Sequence, residues 1–207
     1  MSKEGKLIAL EGPDGSGKTL LQTRLASWMR SDGALTVTTE EHWKGHETGR
    51  KIDKVLNGEE TMDPLDLQRL FIENRVIHTE QIIKPSLESG FVVFSDRYRD
   101  STPAYCRDEH RPELLEVTRV LTSGGMILKP DLVLMIDVPA DVCIARIGSG
   151  RSTKTIFEKT EKLENVQRAY RQVFEALDEN VVIIDGRGSP EEVFELAKAE
   201  IKRRFGC

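Results

Sequence analysis

Cysteine, aromatic residues and long apolar runs are all scarce in this chain of 207 residues. Its three cysteines, Cys106, Cys143 and Cys207, stand far apart, odd in number and in no metal-ligand spacing. That excludes a disulfide framework or a structural zinc site and points to free thiols in a reducing compartment. The longest apolar stretches, Phe91–Phe94, Leu132–Ile136 and Val181–Ile184, fall far below the ~20 residues of a membrane-spanning helix. Leu7–Leu10, before a glycine-rich turn, is too short for the apolar region of a signal peptide, and Cys207, as the last residue, cannot head a four-residue prenylation box. A basic excess is missing too. With 30 Lys plus Arg against 35 Asp plus Glu, the net charge is −5, which argues against attraction to a nucleic-acid backbone or an anionic membrane. Internal repeats, low-complexity segments and Pro/Ser/Gly-rich linkers are also absent. The expectation is a cytoplasmic protein, a single domain over residues 1–207, with no nucleic-acid or membrane partner.

What is present is a soluble composition, 38% hydrophobic and 31% charged, in which short apolar runs alternate with helical patterns. Lys6–Glu11 reads as a strand and Lys18–Arg30 as the helix after it, with Leu21, Leu25, Trp28 and Met29 on one side. Ala34–Thr39 is a second strand, rich in β-branched residues. Asp63-Pro64 reads as an N-cap with proline at the first helical position, opening a long helix towards Glu88 that Pro85 should kink or end. Phe91–Ser95, Leu132–Asp137 and Val181–Asp185 are further strands. Helices are predicted over Ala140–Arg146, over roughly 158–177, and from Pro190 onward. Strands apolar on both faces and alternating with helices predict an α/β fold, a parallel sheet with helices on both faces. Ligands of such sheets sit beyond the carboxyl ends of the strands.

Directly after the first strand comes Gly12-Pro13-Asp14-Gly15-Ser16-Gly17-Lys18-Thr19, which fits G-x-x-x-x-G-K-[ST]. Glycines let successive backbone N–H groups turn inward around an anion, and the following helix presents its positive end to it. Lys18 can reach the terminal phosphates and the Thr19 hydroxyl can coordinate Mg²⁺. The strand-to-helix context points to a nucleoside triphosphate site on a P-loop NTPase-type sheet. No guanine-reading N/T-K-x-D follows a later strand, and the chain is short for a motor, so a small phosphotransferase remains. Asp14 lies where bound phosphates would repel it. It either faces an acceptor or a metal-bound water, or simply forms the turn.

Asp96 and Arg97 follow the buried strand at Phe91–Ser95. A carboxylate there suits a metal-organising or proton-accepting group, and the adjacent Arg suits bridging donor and acceptor phosphates. On the long helix, Arg75 sits one turn beyond Phe71 on a face that should be buried. A ring beside a planar, permanently charged donor could stack a base and read its carbonyl edge, or the Arg could snorkel to the surface.

Taken together, these residues resemble thymidylate kinase over nearly the whole chain. The resemblance runs through 10–19, Leu70-Phe71 with Arg75 and His78, Asp96-Arg97-Tyr98 with Ser101 and Ala104-Tyr105, and Pro130-Asp131-Leu132-Val133. It continues through Ile136-Asp137-Val138, Arg146, Arg151, Phe157-Glu158, and Tyr170 after Arg168. It implies ATP-dependent phosphorylation of dTMP to dTDP with Mg²⁺, usually by a homodimer. By position, Phe71 would stack the base and Arg75 would read its carbonyl. Arg97 would hold phosphates, Asp96 with Thr19 would organise the metal, Ser101 would line the substrate site, and Tyr105 would crowd the 2′ position. Arg146 would lie on adenine. A short mobile lid is expected at about 148–158. Since Ser16 occupies the loop position where some members carry an arginine, the lid would supply one on the transferred phosphoryl: Arg151, with Lys154 in reserve. Lys18, Arg97 and Arg151 would stabilise transition-state charge.

There are departures. Glu40–Gly45 lacks the family's R-E-P-G-G, and Asp53 stands where an acceptor-phosphate Arg is common, with Arg50, Lys51 or Lys54 as possible substitutes. Cys106 replaces a usual Gln, Thr102-Pro103 replaces a Ser-rich pattern, and Lys154-Thr155-Ile156 replaces the lid's D-R. These leave two alternatives open: a kinase of another deoxynucleoside monophosphate such as dUMP, or a non-catalytic nucleotide-binding protein. His42, Trp43 and His46 read as an exposed loop without a role, and Cys143 as core packing.

Overall fold

A computed structural model describes residues 5–148 and 153–206, without the side chains of 153–160. Five strands form one parallel sheet in the order β2-β3-β1-β4-β5: β1 Lys6–Glu11, β2 Thr36–Glu40, β3 Val92–Asp96, β4 Leu132–Asp137 and β5 Val181–Asp185. Helices α1 Lys18–Ser31, α2 Glu47–Leu56, α3 Pro64–His78, α4 Lys84–Glu88, α5 Ser101–Tyr105, α6 Arg111–Ser123, α7 Ala140–Ile147, α8 Thr153–Ala176 and α9 Pro190–Phe205 connect and cover it.

The central strand shows why both faces are covered. Its side chains alternate, so Ile8 and Leu10 enter one core, against Leu21, Leu25 and Met29 of α1 and Phe194 and Ala197 of α9. Leu7 and Ala9 enter the other, against Ile72 of α3 and Val166, Tyr170 and Val173 of α8. All of these are buried, a large apolar area removed from water on each side.

The predicted strands hold, with boundaries moved by a residue or two at β2 and β3. The Asp63 cap is present: its Oδ1 accepts from the backbone N–H of Leu65 at 2.8 Å. Pro85 neither ends nor sharply breaks the long helix. A π-helical turn, Thr79–Ile83, joins α3 to α4, because a proline removes one backbone donor and its ring crowds the preceding turn. Helices α2, α5 and α6 had no sequence expectation. Among the described residues, no helix is long and apolar enough to cross a membrane.

Candidate active site

The carboxyl ends of β1 and β3 lie side by side, Leu10 in register with Asp96, and the glycine-rich turn leaves β1 directly into α1. Gly12 has φ +143° and Gly15 φ +82°, and an added Cβ would meet the Ile136 carbonyl oxygen at 2.7 Å or that of Cys143 at 2.5 Å. Both positions therefore require glycine. Lys18 is buried, its Nζ donating to the Pro13 carbonyl at 2.9 Å and towards Ser16 Oγ at 3.4 Å. Burial first, then the charge of Arg97, pull its pKa down to about 8 against the opposing pull of Asp96 and Asp14. An arriving anion would complete its missing counter-charge.

Thr19 Oγ1 donates to Asp96 Oδ2 at 2.5 Å, so the hydroxyl and carboxylate expected at a metal stand together. Two hard oxygens beside a phosphate loop fit Mg²⁺, which takes one or two protein oxygens and fills its shell with phosphates and water. No cluster of three or more His, Cys, Asp or Glu that could hold a metal occurs among the described residues.

Arg97 is the hub. Its backbone is left-handed, φ 65°, and its guanidinium donates to the Gly12 carbonyl (3.0 Å), Tyr170 OH (3.0 Å), Tyr105 OH (2.8 Å) and Asp14 Oδ1 (2.5 Å). The Tyr105 ring faces the same group at 4.7 Å. Beneath it, fully buried Glu11 accepts from Ser101 Oγ at 2.6 Å, Tyr170 OH at 2.9 Å and the Tyr98 backbone N–H at 2.8 Å. Burial pushes the Glu11 carboxyl up to about 7, with these donors and Arg97 pulling the other way. Arg146 reaches away from this hub, its Nη2 donating to the Gly186 carbonyl at 2.9 Å in the β5–α9 turn, while lining the phosphate-loop cleft.

A cavity of about 420 Å³ opens beside the loop, its walls including Asp14, Phe71, Arg75, Arg97, Ser101 and Tyr105. Arg75 does not snorkel. Its side chain is fully buried, and Glu41 grips it at Nε (2.7 and 2.8 Å) and at Nη2, which also donates to Thr102 Oγ1 at 2.9 Å. Burial drags the Arg75 pKa down, and the charge and hydrogen bonds of Glu41 more than restore it. Nη1 is buried with no acceptor among the described residues. The structure thus brings Phe71, Arg75, Ser101 and Tyr105 to one cavity that shares Asp14 and Arg97 with the loop.

A thymidylate kinase family model matches residues 10–197. The chain belongs to the thymidylate kinase family. It is 35% identical over 192 residues to a probable thymidylate kinase of Methanosarcina acetivorans, covering 91% of each chain. Identity to the thymidylate kinase of Neisseria gonorrhoeae is 32% over 207 residues, covering 98% of each chain. For that of a Sulfurihydrogenibium species it is 30% over 207 residues, 97% of this chain and 98% of the relative. As a member of the family, the protein is a nucleoside monophosphate kinase, a transferase.

Two expectations fail within this family site. The suggested substitutes for a cation at Asp53 turn elsewhere: exposed Arg50 reaches the Lys44 carbonyl, Lys54 pairs with Glu60, and Lys51 is exposed, none of the three lining the cavity. They sit on the solvent side of α2, whose inner face is Thr48, Gly49 and Ile52. Nor is the 42–46 stretch simply an exposed loop. His42 is buried, Trp43 stacks on His78 with centroids 5.4 Å apart, and Asn74 clamps the Trp43 backbone through both amide groups. Cys106, half-buried, donates to the Pro103 carbonyl and is not among the cavity-lining residues, whereas Thr102 is. Cys143 is core, as expected. Arg151 lies outside the described residues, as do residues 149–152 of the lid and the side chain of Lys154.

The sequence reading gave no site role to Glu11 or Lys162, and had Glu41, His42 and Thr102 only as departures bearing on the acceptor pocket. Glu41 carried one usable signal: it directly follows a strand end, where ligands gather, and a buried Arg needs a counter-ion. Lys162, on α8, carried none.

Proposed function

We propose that this chain transfers the γ-phosphoryl group of ATP to the phosphate of dTMP, as one domain spanning residues 1–207. A phosphate oxygen of the acceptor forms the new bond to the γ-phosphorus as the bond to the β–γ bridging oxygen breaks, and ADP leaves. Positioning and charge neutralisation carry such a transfer, and no covalent enzyme intermediate is required. Lys18 and Arg97 would lie on the transferring phosphates, with Arg151 of the lid as the third cation and Arg146 on the adenine side. Mg²⁺, held by Thr19 and Asp96, would supply further positive charge on the phosphoryl oxygens. Asp14, already tied to Arg97 at 2.5 Å, would orient that guanidinium at the seam between donor and acceptor.

Arg75 carries the acceptor assignment. Its Nη1 is a buried donor without a partner among the described residues, on the wall of a cavity that half-buried Phe71 also lines. A ring stacked on Phe71 and offering a carbonyl would satisfy it, and an unmet buried donor is costly enough to discriminate against a base that offers none. Tyr105 and Ser101 complete the wall towards Arg97. The homodimer implied by the resemblance and a cytoplasmic setting belong to the same proposal. Val117 and Val120, exposed on α6, are apolar surface an interface would cover.

The test is ADP release with ATP·Mg²⁺ and dTMP, alongside dUMP, dCMP, dGMP and dAMP at equal concentration. Preference for dTMP supports the reading. Preference for another monophosphate overturns the acceptor assignment, and no release with any of them overturns the activity. Light scattering of the purified chain tests the dimer.

A further inference from the structure

Two residues past the end of β2, the buried imidazole of His42 forms part of the wall of the acceptor cavity. Its Nε2 meets Asp53 Oδ1 at 2.8 Å, and Lys44 Nζ approaches the other Asp53 oxygen at 3.4 Å. The ring stands edge-on to Phe71, centroids 5.7 Å apart at 76°. Nδ1 has no hydrogen-bond partner among the described residues. Asp53 itself is not among the cavity-lining residues, so it acts on the cavity through His42.

The segment that presents this ring is fixed. Asn74 accepts from the Trp43 backbone N–H at 2.8 Å and donates to its carbonyl at 3.0 Å and to Thr48 Oγ1 at 2.9 Å. One residue earlier, the Glu41 backbone N–H donates to the Asp96 carbonyl at 2.9 Å, and Glu41 lines both the acceptor cavity and the phosphate-loop cleft. His42 thus follows directly on Glu41, a residue both clefts share, and itself lines the acceptor cavity.

Charge accounting then singles it out. An acceptor monophosphate brings roughly −1.5 to −2 charges. Arg97 can meet part of that charge, but its guanidinium is already engaged by Gly12, Tyr170, Tyr105 and Asp14, and Lys162 is exposed on α8, whereas His42, paired with Asp53 at Nε2, keeps Nδ1 uncommitted. A carboxylate on one imidazole nitrogen fixes the ring, leaves the other nitrogen to face a ligand, and supports the imidazolium when an anion arrives. A group meant only to flank a base would need no such support.

We propose that His42 is an acceptor-phosphate ligand of this enzyme, held by Asp53 so that its Nδ1–H donates to a phosphate oxygen. The inference rests on the dTMP reading above and names a residue for it. Asp53 then has a positive role: it fixes the imidazole from outside the cavity instead of contacting the phosphate itself.

The test compares binding of dTMP and of thymidine, which lacks the phosphate, by calorimetry. In His42→Ala, dTMP should bind roughly ten-fold or more weakly, the scale of a lost charge-assisted hydrogen bond, while thymidine stays within about two-fold of wild type. In turnover the same variant should raise KM for dTMP and leave KM for ATP unchanged. Asp53→Asn, nearly isosteric, should weaken dTMP in the same direction by a smaller factor. Equal losses for thymidine and dTMP would mean a base contact or a collapsed loop and would overturn the proposal, as would unchanged dTMP binding in both single variants. A wild-type protein that binds dTMP but releases no ADP overturns the kinase reading instead, and leaves the binding comparison decisive for His42.

Discussion

Replacing Glu41 by glutamine removes a charge and almost no volume, and it isolates the pair on which the acceptor cavity is built. Arg75 and Glu41 have side-chain exposures of 0% and 4%, so solvent screens neither. Breaking one partner of such a pair leaves an uncompensated buried charge and costs roughly 3–5 kcal/mol. The introduced amide would keep one carbonyl oxygen for Nε or Nη2 of Arg75, and Thr102 would still accept, which places the expected loss at the lower end of that range. With an unfolding entropy of roughly 2.1 cal/mol/K per residue, a loss of about 3 kcal/mol lowers the melting temperature of a chain of 207 residues by about 7 °C.

The assay is thermal unfolding at pH 7 of wild type, Glu41→Gln and the double variant Glu41→Met/Arg75→Met, each with and without dTMP. Apolar groups of similar shape replace a buried ion pair at little cost, so the double variant should melt within about 1–2 kcal/mol of wild type. It should nonetheless lose the further stabilisation that dTMP gives, because no donor remains for the base carbonyl. A Glu41→Gln protein that melts with wild type would refute the uncompensated-charge argument. A double variant that melts as low as the single one would show that packing, not charge, holds this corner.

Three other outcomes follow from the same geometry. Lys18→Ala should lower kcat by roughly 10²–10³, the scale of one preorganised charge at a transferring group, and turnover within a few-fold of wild type would contradict the assignment. His78, fully buried with Nε2 at 2.7 Å from Thr39 Oγ1, has its pKa lowered to about 4 by burial first and then by Arg75. A histidine kept neutral in the fold stabilises it less once the unfolded chain takes up a proton. Stability should therefore be intact above about pH 6.5, fall as pH drops towards 4, and fall less steeply in His78→Gln, as read by urea unfolding across pH. In Gly49→Ala the added Cβ would lie 1.9 Å from the Trp43 carbonyl oxygen, displacing the clamped loop; a loss of roughly 1–3 kcal/mol in unfolding and a raised KM for dTMP should appear together.

Much of this architecture was legible in the chain because its signals are local. The strand–glycine turn–helix unit at 6–31, the Asp63-Pro64 cap and the doubly apolar strands each need only near neighbours in sequence to be recognised. The burial of Arg75 was only half legible, because its place on the apolar stripe of α3 allowed a snorkelling side chain equally well. Its partner was not legible at all, because Glu41 is 34 residues away and nothing in a period or a spacing selects it from the other acids. The same holds for Asp53. As a sequence letter it read as a missing cation, and only the fold shows that its carboxylate faces an imidazole 11 positions earlier. Helix α5 escaped for another reason: five residues long, it is set by packing against α8 and α6 rather than by its own periodicity, whereas α2 and α6 carry an amphipathic pattern that was there to be read.

The left-handed backbone of Arg97 sets a limit on how this protein can be made more robust. A non-glycine residue at φ 65° sits uphill by roughly 1–2 kcal/mol, and glycine would relax it. Selection for heat resistance alone would therefore be drawn to the one position where relaxation deletes the guanidinium that links the loop, the tyrosines and Asp14. Any stabilised variant of this enzyme has to find its gain elsewhere. The most tolerant ground is the outer face of α9, whose exposed side chains line neither cavity.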